Sequence, residues 1–210
     1  EPGALKFNAR YAVETEPGIQ CLATSYGPPH PKMHPPRGRV VLYVGHIAAD
    51  EDVAHNPQVK RWSKGLRPFL TVDPRGIGMA RSITCGDPNF FAPYGSDFLY
   101  ASTADMLGES YLGRRVLDVL RTMDFLLANG ATEIQLIGRG LGSITAAFAA
   151  LLHPSRPKVR LVNYLPSYAL IAKTPLYHWP LSAFLRGCLL HFDLPDVYTA
   201  LGRRLVKSHP

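Results

Sequence analysis

Hydrophobic residues follow two patterns along this chain: short apolar runs, and longer stretches with apolar residues at helical spacing. The short runs predict strands, at residues 5–13, 19–26, 39–44, 68–72, 132–137 and 159–164, with the start of a last strand at 204–206. The helical spacing predicts helices over residues 58–66, 103–127, 141–152 and 195–201. Strands that alternate with helices favour an α/β fold, a mostly parallel sheet with helices on both faces.

The segments between these elements contain signals for turns, loops and a proline-rich connection. Glu16-Pro17-Gly18 is a turn signal between the first two strands, so residues 1–27 are predicted to form an N-terminal β-hairpin at the sheet edge. Residues 28–38 contain five prolines and predict a stiff surface connection. Residues 82–100 predict an irregular loop, and residues 166–195 a segment that caps the top of the sheet. We expect one domain, because 210 residues can bury a single sizeable core.

Composition and charge narrow the function classes. The net charge is +7, but the basic residues are scattered in short pairs such as Arg114-Arg115, so nucleic-acid binding is not predicted. The chain has no long uncharged apolar run, so no membrane span is predicted. Cys21, Cys85 and Cys188 are odd in number and far apart, which argues against a disulfide framework and against a zinc-ligand spacing. We expect no cofactor and no metal.

The most informative stretch is Gly138-Arg139-Gly140-Leu141-Gly142, between a predicted strand and a predicted helix. In a G-x-S-x-G nucleophile elbow, a strained turn in this setting raises a serine above the sheet. Here Gly140 takes the serine's place and offers no nucleophile. A dinucleotide fingerprint is the rival interpretation, but its third glycine would come one residue later. The helix N-terminus also offers backbone amides to an anion.

Several motifs in order resemble the acetyl xylan esterase and dienelactone-hydrolase-like branch of the α/β-hydrolases. They are the His46 loop after a buried strand, Asp73-Pro74-Arg75-Gly76-Ile77-Gly78, the glycine-rich elbow, and His191-Phe192-Asp193-Leu194-Pro195-Asp196. The resemblance extends over residues 39–206. It implies an α/β-hydrolase fold, a serine esterase acting on acyl groups of plant polysaccharides, and a secreted or periplasmic location.

The resemblance also implies positions for the catalytic groups. The Leu141 amide would be one oxyanion donor, and a second would come from around His46 or Ile47. The acid and the histidine of such hydrolases follow the seventh and eighth strands, whereas this chain ends as the seventh strand forms. We therefore expect a C-terminally truncated hydrolase sheet, and we expect His209, close to the terminus, to be mobile.

The functional prediction is a degenerate α/β-hydrolase-like domain without serine-dependent catalysis. It would bind a carbohydrate or small ester ligand, or support a partner, an adjoining domain or a second copy of the chain. The alternative is an active carboxylic ester hydrolase that uses a nonstandard nucleophile.

Other residues are candidates for that chemistry, each with a structural alternative. Ser143 is either a displaced nucleophile or a group that hydrogen-bonds at the helix N-terminus. His46 with Asp50, Glu51 and Asp52 is either a metal or acid-base cluster, or a solvated turn in which His46 lines a pocket. Cys85 is either a thiol nucleophile or a packed loop residue.

Two further expectations concern contacts. Asp73 and Arg75 are expected to form an ion pair that ties the turn after the fourth strand. Tyr177, His178 and Trp179 either stack on a sugar near the mouth of the cleft or form a small core of the capping segment.

Overall fold

The computed structural model describes residues 7–27, 34–65, 67–82 and 95–208. Seven strands form one sheet in the order β1-β2-β4-β3-β5-β6-β7. The strands are β1 Phe7–Glu16, β2 Ile19–Tyr26, β3 Gly38–Val44, β4 Phe69–Asp73, β5 Ala131–Arg139, β6 Lys158–Val162 and β7 Leu205–Ser208. The helices are α1 Ala49–His55, α2 Pro57–Ser63, α3 Ser96–Met106, α4 Tyr111–Ala128, α5 Leu141–Leu152, α6 Tyr168–Ala172 and α7 Leu194–Leu201.

The predicted hairpin forms the edge of the sheet. β1 and β2 are antiparallel, and Gly18 turns between them with a φ of 75°. β2 is also antiparallel to β4, whereas all the remaining strand pairs are parallel. In the proline-rich connection, residues 34–37 have no regular structure and residues 28–33 lie outside the described ranges.

Helices cover both faces of the sheet, as the sequence pattern predicts. On one face α1 and α2 enclose a smaller cluster around Tyr43, Phe69 and Ile137. On the other face α4, α5 and α7 enclose the larger core, which includes Leu42, Leu136 and many further apolar residues. The sheet is therefore buried on both sides along its central strands. Among the described residues, no helix combines the length and apolarity needed to cross a bilayer.

The helix predicted over residues 103–127 is in fact two helices. Gly108 adopts a φ of 74° just after α3, and the Ser110 side chain caps α4 by accepting from the Gly113 amide. The prediction of an irregular loop over residues 82–100 is wrong for the first turn of α3, which begins at Ser96. Residues 83–94 lie outside the described ranges.

The segment between β3 and β4 also differs from its prediction. α1 was not predicted, and α2 starts and ends earlier than the predicted helix over residues 58–66. Asn56 separates the two helices, and its side chain accepts from the amides of Gln58 and Val59. This side-chain cap sets the start of α2.

Arg75 does not pair with Asp73, so the predicted ion pair is wrong. The Asp118 carboxylate of α4 accepts from the Arg75 backbone amide at 2.8 Å, from Nε at 2.9 Å and from Nη2 at 2.7 Å. Arg75 also pairs with Glu16 at the end of β1. The Asp73 carboxylate instead accepts from backbone amides. Arg75 thus joins the edge hairpin, the turn after β4 and helix α4.

We expect Asp118→Asn to lower the free energy of unfolding by about 3 kcal/mol, because it breaks a buried, multiply hydrogen-bonded ion pair. The Asp118 side chain is fully buried, whereas the Arg39–Glu133 pair is 67% and 42% exposed. The matched control Glu133→Gln should therefore cost less than about 1 kcal/mol. Urea unfolding of both variants measures this, and equal losses would contradict the role given to Arg75.

Candidate functional site

Gly140 forms the tip of a sharp turn between β5 and α5. Its φ of 55° and ψ of −123° fall in a region that residues with a side chain occupy only under strain. The Gly140 amide donates to the Val162 carbonyl of β6 at 2.9 Å, which ties the tip to the neighbouring strand. The strand, turn and helix predicted around this residue are confirmed.

The two flanking glycines allow α5 to approach the sheet closely. A Cβ on Gly138 would lie 2.6 Å from the Cβ of Ala146, and a Cβ on Gly142 would overlap the carbonyls of Val44 and Gly45. Real Cβ atoms do not tolerate such contacts, so both positions require glycine. Helix-to-sheet packing accounts for the alternate glycines without a phosphate ligand.

The imidazole of His46 occupies the space in front of Gly140. A Cβ on residue 140 would lie 2.9 Å from Cγ of the ring and closer still to Nδ1. The Leu141 amide donates to His46 Nδ1 at 3.1 Å. The ring therefore stands where a nucleophile's side chain would begin, and it engages the amide that the resemblance assigns to the oxyanion hole.

The electrostatic environment keeps this imidazole neutral. Burial lowers the pKa of His46, the Arg139 charge lowers it further, and Asp52 opposes both. An unprotonated Nδ1 is required to accept the Leu141 amide, so the lowered pKa and the hydrogen bond are consistent.

A polar network holds the His46 loop against the elbow. Asp52 of α1 accepts from the Tyr43 hydroxyl at 2.7 Å and from the His46 amide at 3.2 Å, and it pairs with Arg139 at 2.6 Å. Arg139 directly precedes Gly140. The sequence analysis assigned no role to Arg139 or Tyr43. A charged side chain inside the elbow motif could have indicated that Arg139 contributes to the site.

Comparisons with known proteins address the fold. No protein-family model and no curated protein matches the sequence. Among solved structures, the chain is similar to a candidate acetyl xylan esterase from Bacteroides fragilis, with a TM-score of 0.60 and 13% identity, covering 95% of this chain and 61% of that one. The chain has the α/β-hydrolase fold.

Two other similarities have lower scores. A candidate acyltransferase from Salmonella enterica gives a TM-score of 0.50 at 17% identity, covering 83% of this chain and 47% of that chain. An α/β-hydrolase-fold protein of unknown function gives 0.46 at 13% identity, covering 77% and 45%. This chain thus spans about half to three-fifths of the length of these solved structures.

The acidic residues that follow His46 lie in a helix. Asp50, Glu51 and Asp52 form the first turn of α1, where negative charge is stabilised by the helix dipole. Asp50 accepts from the Glu51 amide, and the Ile47 carbonyl accepts from Gly78. Within the described ranges, no three histidine, cysteine or acidic side chains converge as metal ligands would.

The other sequence candidates are placed as follows. The Ser143 hydroxyl is fully buried and donates to the Gly140 carbonyl at 2.6 Å, so it braces the turn from below. Trp179 is half-buried and packs against the larger core cluster. Cys85 and His209 lie outside the described ranges.

Asp73 supports the site from beneath, a role that sequence reasoning missed. Its carboxylate accepts from the Ala49 amide at 3.2 Å and from the Met79 amide at 3.1 Å, which joins the start of α1 to the turn after β4. Burial raises the pKa of Asp73 to about 6, although the two amides act in the opposite direction. A Cβ on Gly78 would collide with this carboxylate.

We expect Gly140→Ser to destabilise the protein more than Gly202→Ser does. Gly202 has nearly the same backbone, with φ 55° and ψ −131°, but no atom within 4 Å of an added Cβ. Both substitutions carry the backbone strain, and only the first collides with His46. The difference in unfolding free energy should be on the order of 1–3 kcal/mol.

His46→Ala should remove that difference, because it removes the atoms that the new Cβ meets. Urea unfolding of the single and double variants measures this coupling. A difference between the two serine variants that persists in the His46→Ala background would show that His46 does not exclude a side chain at residue 140.

Stability should also depend on pH through His46. Because its folded pKa is lowered, its contribution is fully present above the unfolded value of about 6.5 and is lost as pH falls through the folded value. Asp73 acts oppositely: its contribution is greatest at low pH and is lost as pH rises through about 6. The difference between the wild type and His46→Gln cancels the Asp73 effect.

Between neutral and mildly acidic pH, the wild type should therefore lose stability relative to His46→Gln. Chemical unfolding at a series of pH values measures it. Stability curves that stay parallel would mean that the His46–Leu141 hydrogen bond does not depend on a neutral ring.

Proposed function

We propose that this chain is an α/β-hydrolase-fold domain that has lost serine-dependent hydrolysis and acts by binding. The observation that carries this proposal is the pair Gly140 and His46: the elbow tip has no side chain, and an imidazole fills the space in front of it. Its ligand is a carbohydrate or small ester, or its partner is an adjoining protein or domain.

The chemistry of ester hydrolysis explains why this arrangement is inactive. Acyl transfer needs a nucleophile, a base that takes its proton, and free amides for the oxyanion. The Leu141 amide already donates to His46. The Nδ1 lone pair that accepts this bond is not free to take a proton from a nucleophile. Hydrolysis at the elbow would require both a new hydroxyl and a displaced ring.

The ligand class is inferred from the capping segment and from the similarity in fold. Trp179 is half-buried and its neighbour His178 is exposed, and neither lines the apolar groove described below. Aromatic side chains at a cleft mouth offer flat surfaces to sugar rings. The candidate acetyl xylan esterase named above is the structural neighbour that points to a polysaccharide.

One observation favours the alternative of a nonstandard nucleophile. At the far end of α5, His153 contacts the Ser155 hydroxyl at 2.8 Å through Nδ1 and Asp124 at 3.2 Å through Nε2. The sequence of groups, acid, imidazole and hydroxyl, is that of a catalytic triad, although a triad places the hydroxyl at Nε2 and the acid at Nδ1. However, the Ser155 amide also donates to the same Nδ1 at 3.1 Å, which is expected of a structural turn after a helix.

The first test offers the 210-residue chain p-nitrophenyl acetate and acetylated xylan, and maps any fluorophosphonate adduct by mass spectrometry. We expect no turnover above the background rate and no adduct. Gly140→Ser should also stay inactive, because the new side chain collides with the His46 ring and a serine needs an acid-oriented histidine base to become a nucleophile. Turnover with labelling of Ser155, abolished by Ser155→Ala, would establish the alternative.

The second test measures binding. Calorimetric titration with xylo-oligosaccharide should give saturable binding that Trp179→Ala weakens, whereas Trp62→Ala, on the opposite face of the sheet, serves as the matched aromatic control. If titration with the oligosaccharide gives no heat of binding, the carbohydrate is excluded as the ligand. Binding of a partner would then remain as the proposed function.

A further inference from the structure

The capping segment contains a concave apolar groove of about 540 Å³ that shares no residue with the elbow. One wall comes from α6 with Tyr168 and Ile171, and the other from Phe184, Leu185 and Leu190. Pockets that hold small ligands span roughly 300–1,000 Å³. The groove is therefore large enough for one small molecule.

Two hydroxyl groups that line the groove, those of Tyr168 and Thr174, are satisfied inside the protein. The Tyr168 hydroxyl donates to the Ala183 carbonyl at 2.7 Å, and the Thr174 hydroxyl donates to the Leu170 carbonyl at 2.7 Å. None of the 12 described residues that line the groove is charged. Its interior therefore favours a hydrocarbon surface over a sugar, whose hydroxyls would lose their hydrogen bonds to water.

Large apolar side chains remain in water around the groove. Leu190, which lines it, is 84% exposed, and Leu176, next to the lining residue Tyr177, is 86% exposed. Exposed apolar side chains that line or flank a concave groove are typical of a binding site. A chain that enters the groove would cover part of this surface.

The charges of the capping segment favour a ligand with an anionic head group. Residues 166–192 contain no aspartate or glutamate, whereas Lys173 and Arg186 are both exposed and each stands between lining residues in the sequence. Arg186 donates to the Asp105 carbonyl at the end of α3, which holds it at the edge of the segment. The next carboxylate along the chain, Asp193, accepts from the Ser167 hydroxyl and from the Tyr168, Ala169 and Leu194 amides. Exposed cations beside an apolar groove complement an anionic amphiphile.

We propose that this groove binds a single medium-chain fatty-acid anion, with its alkyl chain along Phe184, Leu185 and Leu190 and its carboxylate towards Lys173 and Arg186. A concave cavity of limited volume fits one chain better than it fits a lipid surface. The inference goes beyond the loss of hydrolysis and does not depend on it, because the groove and the elbow have no residue in common.

The test is calorimetric titration of the full chain with decanoate below its micelle concentration, together with displacement of cis-parinaric acid. We expect saturable one-to-one binding, and about tenfold weaker binding of octanoate, which buries two fewer methylene groups. Absence of saturable decanoate binding would overturn the proposal, whatever the outcome of the hydrolysis assays.

Matched variants locate the site. Leu190→Asp should weaken decanoate binding about tenfold or more, because it places a charge at the mouth of an apolar groove. Leu152→Asp, at a leucine of α5 that is 61% exposed outside the groove, should change it less than about twofold. Equal losses in the two variants would show non-specific adsorption and overturn the assigned site.

The head group has its own control. The double variant Lys173→Glu/Arg186→Glu should weaken decanoate binding about tenfold and leave decanol binding unchanged. Equal losses for acid and alcohol would overturn the charge assignment. Binding to phosphatidylglycerol vesicles that decanoate does not compete away would overturn the proposal in favour of a membrane-docking surface.

Discussion

The hydrogen bond from the Leu141 amide to the His46 imidazole can form only because residue 140 has no side chain. The elbow and the His46 loop approach so closely that an added Cβ would meet the ring. The two features depend on each other: the glycine makes room for the imidazole, and the imidazole accepts the amide that the resemblance assigns to an oxyanion hole. Burial and the nearby Arg139 keep the ring in the neutral form that this contact requires.

Packing contacts fix the backbone of the turn at Gly140, so the turn forms without a side chain at this position. Gly138 and Gly142 let α5 lie directly on β5 and on the end of β3, and the Gly140 amide is held by β6. The buried Ser143 hydroxyl braces the same turn from within. The fold therefore does not require a side chain at residue 140, since none of these contacts uses one.

Charged side chains are arranged differently around the elbow and in the capping segment. Near the elbow, Asp52 pairs with Arg139, and Asp73 accepts two backbone amides. The capping segment instead combines exposed apolar side chains and cations with no carboxylate over residues 166–192. A polar site and an apolar groove thus lie on one scaffold, and among the described residues the groove has a volume that suits a small ligand.

The parallel sheet, the edge hairpin and the turn around Gly140 could be predicted from the sequence, because periodicity and glycine spacing are local signals. It also contained the break between α3 and α4, at Gly108 and Ser110, although the apolar periodicity hid it. Two contacts of the site could be seen only in the folded chain. His46 lies against Leu141, 95 residues away. Arg139 pairs with Asp52, 87 residues away. Those contacts depend on strand order and register, which bring loops together over distances that no local pattern encodes.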